Sequence, residues 1–221
     1  MNGEQGPYCV RAVRCDHTAD DETVYRALRR ATNPLDRAWA RLRAAETIAI
    51  KFNQDWPLDR VVTFEGQRQQ LVSDTVARAV LRLLREETDA ELCCVDASYH
   101  VMYDKVDSIA ETTTLAPVLD AFDVPIIDGT KPPFKVASVP GGGQMFEQYT
   151  MMGDVVDADA VVSVAKMKNH AYMGVTGCLK NLFGLMPGAP DGHPRHYYHH
   201  LIRMPYILAD IGRIINPALN V

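Results

Sequence analysis

Two lysines and a histidine alternate directly after an apolar run in the last third of the chain. Lys166, Lys168 and His170 follow residues 161–165, which have the composition of a buried strand. Because side chains two residues apart on a strand share a face, the two ammonium groups are expected to leave it in the same direction. An imidazole, with an ordinary pKa of about 6.5, can move a proton near neutral pH. The segment predicts a site at a strand end, with His170 as a proton-transfer residue.

A glycine-containing turn and a predicted helix over residues 175–185 follow these residues. A helix that begins near Gly174 and Gly177 exposes unpaired N–H groups and the positive end of its dipole. Lys180 lies one turn into this helix, where its charge can reach back over the start, and it joins His170 as a candidate catalytic residue. The predicted ligand is a phosphate or a carboxylate. Its candidate contacts are Lys166, Lys168, Thr176, Gly177 and Asn181. The alternative is that the lysines are solvated and Asn181 caps a turn.

A run of three glycines at residues 141–143 follows another predicted strand. Gly142 and Gly143 are candidate phosphate contacts, because glycine lets a ligand approach the backbone closely. The run lacks the G-x-G-x-x-G spacing of dinucleotide-binding loops, so a plain turn remains the alternative.

Four histidines lie within residues 193–200, and such a cluster could bind a metal ion. His196 and His199 are spaced i, i+3, so on a helix they share one face, and His193 lies just before them. These three residues are the candidate metal ligands. No H-E-x-x-H occurs, and the alternative is a loop that delivers one histidine to the anion site.

Composition limits the partners and the compartment. The chain has 221 residues, 47% of them hydrophobic, and a net charge of −5, which argues against a general nucleic-acid surface. No apolar run is long enough to cross a bilayer and no signal-peptide core is present, so we expect no membrane association and a cytoplasmic location. The five cysteines include no C-x-x-C, so no iron–sulfur cluster is expected within these residues.

The elements that must position the site alternate between strands and helices. This pattern predicts an α/β fold with a mostly parallel sheet, flanking helices and a Rossmann-like arrangement of three layers. Residues 1–45 are predicted to form an N-terminal helical extension, and residues 46–221 the α/β domain. A short helix is expected within 146–156. Residues 216–221 look like the opening of a strand, so we expect either a fragment of a longer protein or a short version of its family.

The motifs in the last third of the chain resemble those of the DUF362 family. KMKNH at 166–170, TGCLKNLFG at 176–184 and MPG at 186–188 match in order, with His193 or His196 as the final histidine. The family is named for its unknown function. The resemblance implies a ferredoxin-like partner or module with iron–sulfur clusters in many members, but no cysteine motif follows Cys178 here. A distant similarity to lactate-racemase-type proteins suggests, by analogy, a phosphate-bearing cofactor in an α/β cleft.

Three functions stay open from the sequence. The first is an oxidoreductase-associated enzyme that binds a small anionic substrate or a cofactor of unknown identity. The second is a non-catalytic module that carries a cofactor or docks an electron-transfer partner. The third is a metal-dependent enzyme built on the histidine cluster.

Overall fold

The computed structural model describes residues 9–56, 58–98, 108–171, 173–187, 198–199 and 203–221. The helices in these ranges are α1 (Asp21–Thr32), α2 (Asp36–Arg43), α3 (Asp74–Glu87), α4 (Ile109–Thr112), α5 (Ala116–Ala121), α6 (Gly153–Asp157), α7 (Cys178–Asn181) and α8 (Met204–Ile215), with 3-10 turns at Leu58–Arg60 and Leu182–Leu185. The strands are β1 (Thr47–Phe52), β2 (Thr63–Phe64), β3 (Gln67–Arg68), β4 (Glu91–Asp96), β5 (Ile126–Asp128), β6 (Phe134–Ser138), β7 (Gln148–Met152), β8 (Ala160–Val164), β9 (Lys168–His170), β10 (Gly174–Thr176) and β11 (Leu219–Asn220).

A five-stranded parallel sheet in the order β5-β4-β1-β8-β11 forms the centre of the fold. The first strand of the sheet in the chain, β1, lies in the middle. The strands β4 and β5 follow on one side of it, and the chain then crosses over to form β8 and β11 on the other side. The predicted α/β class with a mostly parallel sheet is therefore confirmed. A reversal of strand order opens a crevice at the carboxyl ends of the strands, here between β1 and β8.

Alternation along β1 divides the core between the two faces of the sheet. Ile48, Ile50 and Phe52 point into a core shared with α1, α2, α3 and α5. Ala49 points into the opposite core, which is built from the β6–β7 hairpin, α8 and the 3-10 turn after α7. Because successive side chains of a strand point to opposite faces, the sheet carries a core on each face. The fold therefore has three layers, with the sheet in the middle.

The helices before β1 pack onto the main core. Asp20 caps α1 by accepting a hydrogen bond from the backbone N–H of Thr23. Tyr25, Trp39 and Leu42 from α1 and α2 are buried with the side chains of α3. The residues that were predicted to form an N-terminal extension therefore cover one face of the sheet.

Two of the predicted helices differ from the structure. Residues 148–152, expected within a short helix, form strand β7 and pair with β6, because Tyr149 and Met151 alternate into the core. The helix expected over 175–185 is interrupted, since β10, α7 and a 3-10 turn share that stretch. Within the described ranges, no helix is long and apolar enough to span a bilayer.

Candidate functional site

The predicted site residues lie on a small antiparallel hairpin that follows β8 at the carboxyl edge of the sheet. In this β9–β10 hairpin Lys168 lies directly opposite Thr176, and His170 lies opposite Gly174. Residues opposite each other and residues two apart on one strand share a face. Lys168, His170 and Thr176 therefore share one face, named here the hairpin face. On the other side, Asn169 and Val175 are exposed to solvent.

Lys168 places an ammonium group in half-buried surroundings. Its Nζ lies 5.5 Å from the centre of the Trp56 ring. Among the residues that the structure describes, it makes no ion pair with a carboxylate. Burial, and secondly the charge of Lys51, lower the pKa of Lys168 to about 8. An anion bound next to this ammonium group would favour its charged form and raise its pKa again.

His170 is surrounded by cations and aromatic rings. Burial lowers the pKa of His170 to about 4, with further contributions from the charges of Lys180 and Lys168. At neutral pH the His170 ring is therefore uncharged. It lies parallel to the His199 ring, with 6.2 Å between ring centres. The centre of the Phe183 ring lies 4.4 Å from the centre of the His199 ring and 4.6 Å from Lys180 Nζ. Phe183 therefore packs between the imidazole of His199 and the ammonium group of Lys180.

Thr176 carries a buried hydroxyl that lacks a hydrogen-bond partner within the described part of the chain. Its residue surface is only 4% exposed. Leaving a polar group without a partner costs free energy when it is buried, so such a group is typical of a site that receives a ligand.

The helix that was expected to supply a dipole is one turn long. Gly177 is its N-cap, α7 spans four residues, and the cap makes no side-chain hydrogen bond. Gly174, which was expected near the helix start, lies in β10 instead. A single turn has a much weaker dipole than a long helix, so the charge at this site comes from side chains. Lys166 lies between β8 and β9 and is half-buried.

Asn181 is 5% exposed and links the two strands that border the crevice. Its Nδ2 donates to the carbonyl oxygen of Lys51 at 2.8 Å and to that of Val164 at 3.2 Å. The same group reaches Ser163 Oγ at 3.2 Å. The amide of this motif residue thus joins β1 to β8 where the strand order reverses.

A buried ion pair lies below the site and was not predicted from the sequence. Lys51 Nζ is 2.8 Å from Asp96 Oδ2, and the two side chains are 5% and 3% exposed. Lys51 also donates to the carbonyl oxygen of Phe52 at 2.6 Å and to Asn181 Oδ1 at 3.3 Å. A Cβ on Gly184 would lie 2.6 Å from Lys51 Cε, so the glycine of the LFG motif leaves room for this lysine. The available signal was a lysine inside an otherwise apolar strand.

The residues that follow the triglycine run bind a carboxylate of the protein itself. Asp210 of α8 is fully buried and accepts hydrogen bonds from the backbone N–H groups of Gln144 at 2.6 Å and Met145 at 2.9 Å. The Tyr149 hydroxyl also donates to it at 2.7 Å. Burial alone would favour the neutral acid, but these hydrogen bonds outweigh it and lower the pKa of Asp210 below its usual range.

Gly142 and Gly143 shape this loop. The backbone of Gly142 has a φ of +86°, and its carbonyl oxygen accepts from Arg213 at 2.6 Å. A side chain on Gly143 would overlap the carbonyl oxygen of Phe146. Both glycines thus shape the backbone that leads into the loop around Asp210, and their predicted contact with phosphate stays a prediction.

Of the candidate metal ligands, His199 falls within the described residues, whereas His193 and His196 lie outside them. No group of three His, Cys, Asp or Glu side chains suited to a metal occurs in the part of the chain that the structure describes. The metal site therefore remains a prediction from the sequence.

Comparison with known proteins agrees with the motifs that surround this site. Residues 48–221 match the family described as "Domain of unknown function (DUF362)". The chain belongs to the DUF362 family. A relative from Synechocystis sp., named thylakoid-associated protein sll1697, is 32% identical over 80 residues, which are 36% of this chain. The matched region of this DUF362 protein spans 23% of the length of that relative.

Proposed function

We propose that this DUF362 protein binds a small anionic ligand, bearing a phosphate or a carboxylate, on the hairpin face. The observation that carries the proposal is the pairing of Lys168 with Thr176. A half-buried ammonium without an ion pair among the described residues lies directly across the hairpin from a buried hydroxyl without a hydrogen-bond partner there. An anion that accepts from both groups would satisfy the hydroxyl and neutralise the charge.

The position of the hairpin supports the same function. It follows β8 directly, beside the crevice where the order of the parallel strands reverses. Ligands of open α/β sheets bind at such a crevice, outside the carboxyl ends of the strands. Lys166 precedes the hairpin and adds a further positive charge to this edge.

A catalytic role for the site extends the proposal. An anion bound beside His170 would offset the lysine charges and raise its pKa from about 4, so that the ring would accept a proton from the ligand. Lys180 beside it would stabilise the negative charge that develops. A redox link and a ferredoxin-like partner rest on the family resemblance alone. A protein that binds the ligand without turnover would instead be a carrier module.

Lys168→Met is expected to weaken the binding of methyl phosphate or acetate by at least about tenfold, because a charge-assisted hydrogen bond contributes about 1.5–3 kcal/mol. Isothermal titration calorimetry measures the affinity. Lys135→Met is the matched control, since Lys135 is half exposed and pairs with Asp157. Equal affinity in wild type and Lys168→Met, with the fold intact by circular dichroism, would refute the site.

The affinity of the site is expected to fall as the pH rises above about 8. Below this value Lys168 is charged both with and without ligand. Above it, binding must first return a proton to Lys168, because the anion raises the pKa of Lys168 from about 8. Calorimetry near pH 9, run in two buffers of different ionisation enthalpy, measures the expected proton uptake.

Lys168→Arg is the control for this pH dependence. Arginine stays charged throughout the range, so the variant should bind without taking up a proton and without the decline above pH 8. An unchanged decline in Lys168→Arg would assign the titration to another group.

A further inference from the structure

We infer that the group bound on the hairpin face is a dianionic tetrahedral phosphate rather than a carboxylate. The inference rests on the proposed function and narrows its two chemical classes to one. It is carried by the sign of the surrounding charges and by the spread of the donors over the hairpin face.

The charges that act on Lys168 and His170 are those of lysines. Lys168 contributes one, and Lys180 is close enough to influence His170 beside it. The carboxylate below the site, Asp96, has both oxygens engaged, one by Lys51 Nζ and the other by the N–H of Ala97 at 2.8 Å. It cannot turn towards a ligand without breaking a buried ion pair. Since Coulomb energy is proportional to charge, the attraction between each ammonium group and a dianion is about twice the attraction to a monoanion at the same distance.

The donors are also spread over the hairpin face. Lys168 and Thr176 lie opposite each other, so their Cβ atoms are about 5 Å apart. His170 lies two residues along β9, which is about 6–7 Å further. A terminal phosphate directs three oxygens into different directions and can meet donors placed in this way. A carboxylate offers two oxygens in one plane.

The basic residues of the segment are lysines throughout. Residues 161–188 contain three lysines, Lys166, Lys168 and Lys180, and no arginine. The planar fork of arginine recognises carboxylates and phosphates alike, and lysine binds phosphate as a point charge. The three lysines are therefore compatible with a phosphate, and the choice between the two anions depends on the charges and on the spread of the donors.

Three small probes separate charge from shape. Methyl phosphate is a dianion at pH 8, dimethyl phosphate is a tetrahedral monoanion, and acetate is a planar monoanion. Trp56 reports binding through its fluorescence, because Lys168 lies over its ring. The other tryptophan, Trp39, is buried at 3% exposure in the main core. Calorimetry on the same samples gives the affinity independently, and Trp56→Phe controls for the origin of the optical signal.

We expect methyl phosphate to bind at least about tenfold more tightly than dimethyl phosphate or acetate at matched ionic strength. Acetate binding as tightly as methyl phosphate would overturn the inference while leaving the proposed anion site intact. Equal affinity for the two phosphates would likewise overturn the selection for a dianion. Heat changes absent for all three probes would overturn the proposed function itself.

Discussion

Asp96→Asn is expected to lower the free energy of unfolding by about 3–5 kcal/mol, because it leaves a buried lysine charge without its counterion. Lys51 and Asp96 are almost fully excluded from solvent, so water cannot replace the lost carboxylate. The asparagine keeps an oxygen for the N–H of Ala97, whereas its NH2 group replaces the oxygen that accepts from Lys51. Urea unfolding followed by circular dichroism measures the difference, provided that the slope of the unfolding free energy against urea concentration is the same in both proteins.

The double variant Lys51→Met/Asp96→Asn tests the cause of this loss. Removing both charges eliminates the unpaired ammonium, so the double variant should be more stable than Asp96→Asn alone. Strictly additive losses from the two single substitutions would contradict a stabilising interaction between the side chains.

Asp210→Ala is expected to lower the free energy of unfolding by about 3–5 kcal/mol, since each buried donor left without a partner costs about 1–3 kcal/mol. The donors are the N–H groups of Gln144 and Met145 and the Tyr149 hydroxyl. Thermal and urea unfolding measure the change. Asp120→Ala, at an exposed position of α5, is the control and should change stability by less than about 0.5 kcal/mol. A similar effect of the two substitutions would show that the loop does not depend on Asp210.

The sheet could be predicted because each central strand carries its own local signal. The stretch from Thr47 to Phe52 and the stretch from Ala160 to Val164 are apolar runs, and burial on both faces is what parallel strands require. The β9–β10 hairpin gives no such signal. Its strands have three residues each, and their pairing depends on the path of the chain after β8.

The residues of the candidate site were predictable to different degrees. Lys168 and His170 were predicted by their alternation, and the structure places them on one face with Thr176. A lysine inside an apolar strand signals an unusual Lys51, but its pairing with Asp96 cannot be predicted from the sequence, because Asp96 comes from another strand and burial depends on the whole fold. Asn181 is predicted to contact the ligand, and that contact stays a prediction. The structure shows that its amide joins β1 to β8.

Gly184 and Lys51 share one space in the core, although they lie far apart in the chain. A side chain at position 184 would collide with Lys51 Cε and approach Asp96 Oδ1 to 3.1 Å. A methyl group at position 184 would therefore displace the Lys51 side chain from its place beside Asp96. A shorter residue at position 51 would make room for that methyl group, but it would leave Asp96 without its partner. We therefore expect positions 184, 51 and 96 to change together among relatives of this protein.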